Sequence, residues 1–378
     1  MSILLPDLSL YIHIPWCKKK CPYCDFHSYQ SKNSIPELQY IQSLIQDLKN
    51  DIHLINNRSI KSIFIGGGTP NLINYKYIKY LLHNIKNIVS LNSNSEITIE
   101  INPDLITIHT IRKYIQLGIN RISIGIQSFN NKLLKSIGRE HSAETAINIL
   151  NQIKKKKINF NIDLMYGLPQ QTLQECLYDL KTAILMKPNH ISWYQLNIEK
   201  NTIFYSKKIH LPNENTIWNM YNQGNKLLTQ SKYIRYEISS YSQKKYQCQH
   251  NLNYWKFQDY IGIGCGAHGK ITTKNKNIIR TIKKYKINDY INSNQYIQKK
   301  YKILDKNKPL EYFMNIFRLF QPIKRKYFTL YTGLNKCYIK NEINTLIKKK
   351  YIVQTKKFWY TLPKGKIFLN NLLEYFIK

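Results

Sequence analysis

From residue 10 to about residue 197 the chain alternates short β-rich runs with helical patterns, and that alternation constrains the fold more than any other feature. It is the pattern of successive strand and helix units, in which parallel strands are joined by helices that cover the sheet. The predicted strands are Leu10–Ile14, Ser62–Ile65, Glu96–Ile101, Arg121–Ile126, Asn159–Met165 and His190–Leu196. Between the first two, Leu38, Ile41, Leu44, Ile45, Leu48, Ile52 and Ile55 recur at helical spacing and mark one buried face. Helices also fit Tyr75–Ile88, Thr107–Leu117, Ala143–Lys155 and Thr172–Met186. The expected class is α/β, a partial (β/α)6 barrel. A doubly wound open sheet is the alternative that periodicity does not separate from it. In both, ligands collect at the carboxyl ends of the strands.

Beyond residue 200 the alternation fades into Tyr-, Asn- and Lys-rich sequence, broken by a glycine cluster at Gly262–Gly269. Residues 270–305 read as a polar connector. A helix is predicted over Pro309–Phe320, another over Asn341–Lys350, a hairpin from Tyr351–Val353 and Phe358–Thr361, and a closing helix over Lys364–Phe376. Helix, hairpin and helix suggest a small winged-helix-like α+β unit. The expected division is therefore a barrel at 1–200, an extension and connector at 201–300, and a C-terminal domain at 301–378, which a length of 378 residues accommodates.

The balance of 57 Lys and Arg against 22 Asp and Glu, a net charge of +35, would ordinarily point to an anionic partner. Ile, Asn, Tyr and Lys all share A/T-rich codons, however, so base composition accounts for much of the excess, and nucleic acid is not the expected partner. The stretch Ser2–Ile14 has no basic leader segment and reads as a strand rather than a signal peptide. No window approaches 18 uninterrupted apolar residues, against a membrane span. The seven cysteines are an odd number, three of them crowded between residues 17 and 24, so a reducing, cytoplasmic compartment is expected rather than a disulfide framework.

Those three, Cys17, Cys21 and Cys24, follow the first strand directly and place three thiolates on one tight loop. Structural zinc would normally take a fourth protein ligand, for which His27, Cys248 and His250 are candidates. Cubane iron–sulfur clusters commonly take four cysteines; three leave one iron open to an external ligand.

The segment Tyr11-Ile-His-Ile-Pro-Trp-Cys-Lys-Lys-Lys-Cys-Pro-Tyr-Cys-Asp-Phe26 resembles the radical S-adenosylmethionine superfamily, in its coproporphyrinogen dehydrogenase-like branch. The resemblance implies a barrel of the radical SAM type and a [4Fe–4S] cluster on Cys17, Cys21 and Cys24. It also implies that the open iron takes the amino and carboxylate groups of S-adenosylmethionine, and that an electron passed to the sulfonium releases a 5′-deoxyadenosyl radical. Gly67, Gly68 and Thr69 follow the second strand in Gly66-Gly-Gly-Thr-Pro70, a run that lets backbone N–H groups approach a ligand carboxylate. Glu100, Gln127 and Asp163 lie at or near strand ends, and with Arg139, Tyr11 and Tyr23 they match the family's cofactor contacts. A carboxylate suits ribose hydroxyls or an amino group, and arginine suits the methionine carboxylate.

Two kinds of protein in this branch fit the whole chain: oxygen-independent coproporphyrinogen III dehydrogenases and heme chaperones. The dehydrogenase pattern has a further cysteine two positions after the third ligand, where this chain has Phe26, and a long extension before the motif, where this chain has its first ligand at residue 17. His250-Asn-Leu-Asn-Tyr-Trp255 is similar to the HNxxYW motif of the heme chaperones, which makes His250 the expected heme contact, with Cys248 and His268 as lesser candidates. Gly264–Gly269 formally fits G-x-G-x-x-G but lacks the βαβ context of a dinucleotide site. The expected function is delivery of heme to acceptors such as respiratory enzymes, with the basic surface serving heme propionates or an anionic membrane face.

Overall fold

Each strand of the N-terminal half alternates isoleucine or leucine with a small or polar residue, so the two faces of the sheet differ in chemistry. In Leu8–Ile14 (β1), Leu8, Leu10, Ile12 and Ile14 join the main apolar core while Ser9, Tyr11 and His13 point the other way. The same holds in Ile60–Gly67 (β2), Leu91–Ile101 (β3), Arg121–Gln127 (β4), Phe160–Tyr166 (β5) and His190–Gln195 (β6), whose Ile63, Ile65, Ile97, Ile99, Ile122, Ile124, Ile162 and Ile191 pack into that core. The helices Glu37–Ile55 (α1), Tyr75–Ile88 (α2), Ile108–Gln116 (α3), Ala143–Lys155 (α4) and Leu173–Leu185 (α5) cover the apolar face with Leu44, Leu48, Leu81, Ile85, Ile111, Ile149, Leu150 and Leu180. Local capping starts them cleanly: the Thr172 side chain accepts from the Glu175 N–H, and the Glu175 carboxylate accepts from the Thr172 N–H, a capping box.

The computed structural model describes residues 5–31 and 34–377, so Ser2–Leu4 of the Ser2–Ile14 stretch lie outside the described residues. The order β1-β2-β3-β4-β5-β6 follows the chain, every pair parallel. A doubly wound sheet would reverse its order partway across. None of these six strands does, and the partial barrel stands.

After helix Glu214–Gln230 (α6), the short strands Ile234–Glu237 (β7) and Ser240–Ser242 (β8) extend the sheet beyond β6. Helix Gln249–Trp255 (α7) then leads to Asp259–Ile263 (β9), which pairs with β1 in parallel on the opposite side. The 270–305 stretch is no connector. It forms antiparallel strands with its neighbours, His268–Thr272 (β10), Ile278–Lys283 (β11) and Ile297–Lys302 (β12), completing a twelve-stranded sheet. Its polarity misled because β12 is an exposed edge, where Lys299, Lys300 and Lys302 discourage pairing with another chain.

The C-terminal residues form helices Lys308–Ile316 (α8), Lys326–Thr332 (α9) and Lys340–Lys348 (α10), and a small antiparallel sheet of 323–324, 352–354 and 358–361. The expected closing helix breaks at Phe368 into two short turns of helix, Pro363–Ile367 and Leu369–Leu373. Phe313, Phe317, Phe328, Trp359 and Phe376 build a second apolar core that also takes in Tyr236, Leu252 and Phe257, so α7 is packed from this side too.

A buried charge network joins α1 to β11. Lys283 Nζ binds Asp47 and, at 2.7 Å, Asp51, while Tyr290 donates to Asp47 at 2.6 Å. Burial pushes the Asp47 carboxyl up to about 6 against the pull of Lys283. Lys283→Met leaves two carboxylates buried without their cation, and urea denaturation is expected to show a loss of about 3–5 kcal/mol.

Candidate functional site

The polar face of the six strands encloses a cavity of about 760 Å³ at their carboxyl ends. It is lined by Cys17, Cys21, Tyr23, Cys24, Gly67, Gly68, Thr69, Glu100, Gln127, Arg139 and Asp163, residues brought together from six separate stretches of the chain. Of the expected site residues, Tyr11 and His250 are not on this lining.

The cysteine loop leaves the end of β1 and is pinned at both sides. Cys24 N–H donates to the Cys21 carbonyl at 3.0 Å, and Tyr29 and Ser31 N–H groups return to the Pro15 and Cys17 carbonyls. The glycine run acts differently from expectation. Gly67 N–H donates to Glu100 Oε2 at 3.1 Å, Gly68 N–H to the Ile14 carbonyl and Thr69 N–H to the Trp16 carbonyl, so these donors are committed within the protein. What glycine supplies is room: a Cβ on Gly68 would lie 2.4 Å from the Trp16 oxygen and 3.0 Å from Cys17 Sγ.

Burial raises the Cys17 thiol above its ordinary value and pushes Cys24 up to about 11, with the neighbouring thiols adding to both. Cys17 and Cys24 are thus held as neutral thiols by their surroundings; a bound cationic centre reverses that preference. Among the described residues no group of three or more His, Cys, Asp or Glu could hold a single metal ion. The candidate fourth zinc ligands are also engaged elsewhere. His27 Nε2 bonds the Tyr285 carbonyl at 2.7 Å, Cys248 Sγ lies 3.4 Å from Glu96, and His250 bonds Ser62 and Tyr254. Three thiols on one wall of a roomy cavity suit a larger cluster with an open position.

Arg139 stands beside the cysteines, with Nη1 at 3.9 Å from Cys21 Sγ and Nη2 donating to Asn102 Oδ1 and the Gly125 carbonyl. An irregularity in pairing with β5 and a left-handed backbone, φ 70°, turn Gln127 into the cavity, where its Oε1 accepts from the Tyr194 hydroxyl at 3.0 Å. Burial, with Asp163 nearby, pushes the Glu100 carboxyl up to about 8, so at neutral pH it is largely protonated and able to donate. Asp163 is also raised by burial, opposed by hydrogen bonds from Asn161, Ser192 and Ser123. Tyr11 lies nearer the barrel interior, its hydroxyl bonded to His13 Nδ1 at 2.8 Å.

His250 is fully enclosed. Its Nδ1 bonds Ser62 Oγ at 2.9 Å and its Nε2 the Tyr254 hydroxyl at 2.9 Å, and its ring stacks on Phe64. With both nitrogens engaged, it does not offer a lone pair to the cavity. The face of α7 that does line the cavity carries Asn251, Tyr254 and Trp255. Glu96, midway along β3, fixes this helix, its carboxylate accepting from the Gln249 and His250 N–H groups at 3.0 Å each. The sequence reading missed that cap, and missed Arg318, which enters the cavity from the C-terminal region. The cap carries no local signal, because its two halves are more than 150 residues apart.

The chain's sequence matches the Radical SAM superfamily over residues 11–183, a span that takes in the cysteine loop and runs from β1 through β5. Its fold is shared with coproporphyrinogen III oxidase (HemN) from Escherichia coli, at a TM-score of 0.83 and 20% identity, covering 99% of this chain and 91% of that one. The heme chaperone HemW of Buchnera aphidicola is 52% identical over 99% of both chains, and that of Escherichia coli is 44% identical over 99% of both. The chain belongs to the heme chaperone HemW family of radical SAM proteins. Among the described residues no helix is long and apolar enough to cross a membrane.

Burial, with Arg121 adding to it, lowers the His250 imidazole to about 3. An unfolded imidazole near 6.5 takes up a proton that the folded one refuses, so stability falls as pH drops below about 6.5. His250→Gln is expected to remove about 2 kcal/mol of that acid-side loss between about pH 6.5 and pH 5, read from denaturation midpoints across the pH series.

Proposed function

We propose that the protein is a cytoplasmic heme chaperone that holds a [4Fe–4S] cluster on Cys17, Cys21 and Cys24 together with S-adenosylmethionine, binds heme, and passes it to acceptor proteins, respiratory enzymes among them. The observation that carries this reading is the sharing of one cavity by the three-cysteine loop and by the Asn251, Tyr254 and Trp255 face of α7, in a chain whose full-length relatives are named heme chaperones.

In this reading Arg139, beside Cys21, meets the methionine carboxylate, and Glu100, Gln127 and Asp163 meet the amino and ribose groups, with Tyr23, Gly67, Gly68 and Thr69 shaping the wall. The bound cluster supplies a one-electron reductant and an open iron for the cofactor. The protein's part is to seat the thiolates and to limit water: Trp16 and Cys17 are buried against the glycine run, and Pro22 packs against Gly138. Tyr11 and His250 serve this site by placing His13 and Tyr254 rather than by direct contact. The seven free thiols agree with a reducing compartment, and the net charge of +35 suits heme propionates or an anionic membrane face during delivery.

Phe26, where the dehydrogenase pattern has cysteine, is exposed on the cavity rim. We therefore assign no porphyrinogen oxidation. Anaerobic reconstitution followed by iron analysis, heme titration and a coproporphyrinogen III assay in parallel tests the reading. Expected are iron incorporation that Cys17→Ser, Cys21→Ser or Cys24→Ser each abolishes, saturable heme binding, and no protoporphyrinogen. Robust protoporphyrinogen formation would instead place the chain with the dehydrogenases.

A further inference from the structure

The wall of the cavity formed by α7 and the β7–β8 connection carries a cationic group that nothing above employs. Arg318 follows α8 and is held in place by its neighbours: Leu319 bridges to Glu237, and Phe320 N–H donates to the Tyr236 carbonyl. Its guanidinium lies over the Trp255 ring, 4.3 Å from the centroid, which fixes its plane. Its acidic partner is Glu237, at the long distance of 3.5 Å from Nη2; Glu237 is buried while the Arg318 side chain remains 27% exposed.

The cation is therefore incompletely paired. Arg318 Nε and Trp255 Nε1 are both buried without a hydrogen-bond partner among the described residues, a cost that an acceptor between them removes. Ser239, Ser240 and Asn251 add further donors on the same wall. The other cations of the lining are accounted for at the cysteine end, where Lys18 pairs with Glu140 at 3.2 Å, Arg139 is committed to Asn102 and Gly125, and Lys19 belongs to the loop itself.

A planar guanidinium with free edges recognises a carboxylate by paired hydrogen bonds, and the adjoining Tyr254 and Trp255 rings offer apolar surface. Flat apolar body beside a carboxylate describes a tetrapyrrole carrying propionates. We infer that Arg318, braced on Trp255, anchors a carboxylate of the carried tetrapyrrole, and that Glu237 is the internal counter-ion which that carboxylate replaces. The inference rests on the heme-carrying reading and adds to it the group that orients the ligand.

The test compares iron(III) protoporphyrin IX with its dimethyl ester on full-length wild type, Arg318→Met and Glu237→Gln. Wild type is expected to favour the diacid over the diester by about tenfold or more, the worth of a charge-assisted hydrogen bond. Arg318→Met erases that preference and keeps the diester affinity, which also reports that the variant is folded. Glu237→Gln, by freeing the arginine, strengthens diacid binding alone. A preference that survives in Arg318→Met, an equal loss for both porphyrins, or a Glu237→Gln variant that binds the diacid no better overturns the inference while leaving the heme reading intact. A wild type that binds neither porphyrin ends both.

Discussion

Six parallel strands place their isoleucines on one face and their polar residues on the other, and the rest of the molecule follows from that partition. The isoleucine face needs cover, which α1 to α5 provide. The other face cannot close on itself as an apolar barrel core would, because Ser123, Asp163, Arg121, Asn161, His190 and Glu100 point into it. Buried polar groups must be paired, and the deeper ones pair with each other: Asn161 bridges Ser123, Asp163 and His190, and Ser9 meets Ser62. Nearer the carboxyl ends the network opens into the cavity. A polar, partly open interior is the physical origin of the site.

The cysteine loop and α7 reach this cavity from opposite sides by different means. The loop is local, one turn after β1, and it sits close because Gly68 has no side chain to hold Trp16 away. The helix is remote in sequence. It is carried in by β9, which pairs with β1, and is anchored by the Glu96 carboxylate at its start and by the His250 ring, buried against Ser62 and Phe64. In this structure the His250 ring braces the helix from within, while its helix neighbours Tyr254 and Trp255 line the cavity.

Much of the fold was legible because it is written in short-range patterns. The strands of the N-terminal half, the α1 face of Ile41, Leu44, Ile45, Leu48 and Ile55, and the cysteine spacing all depend on neighbours a few residues away, although Leu38 and Ile52, expected on that face, are exposed at its margins. The polar interior is written in the same short-range way, as Arg121, Ser123, Gly125 and Gln127 alternate with isoleucines, but it was not drawn from the strand pattern alone. Residues 270–305 were misread because their strands are held by successive antiparallel pairing outward from β9 rather than by apolar periodicity, and the outermost is solvent-exposed.

By itself the amino-acid sequence determined the βα succession, the three-thiol loop and the membership of a radical SAM family, since each rests on local periodicity or on the spacing of a few adjacent residues. Only the tertiary structure decided the sequential strand order, the enclosure of His250, the commitment of the glycine N–H groups to β1, Trp16 and Glu100, and the arrival of Arg318 beside Trp255. Those are long-range outcomes. Glu96 and α7, or Trp255 and Arg318, meet because the covered sheet and the second apolar core leave them one way to pack, and nothing in either segment alone announces the other.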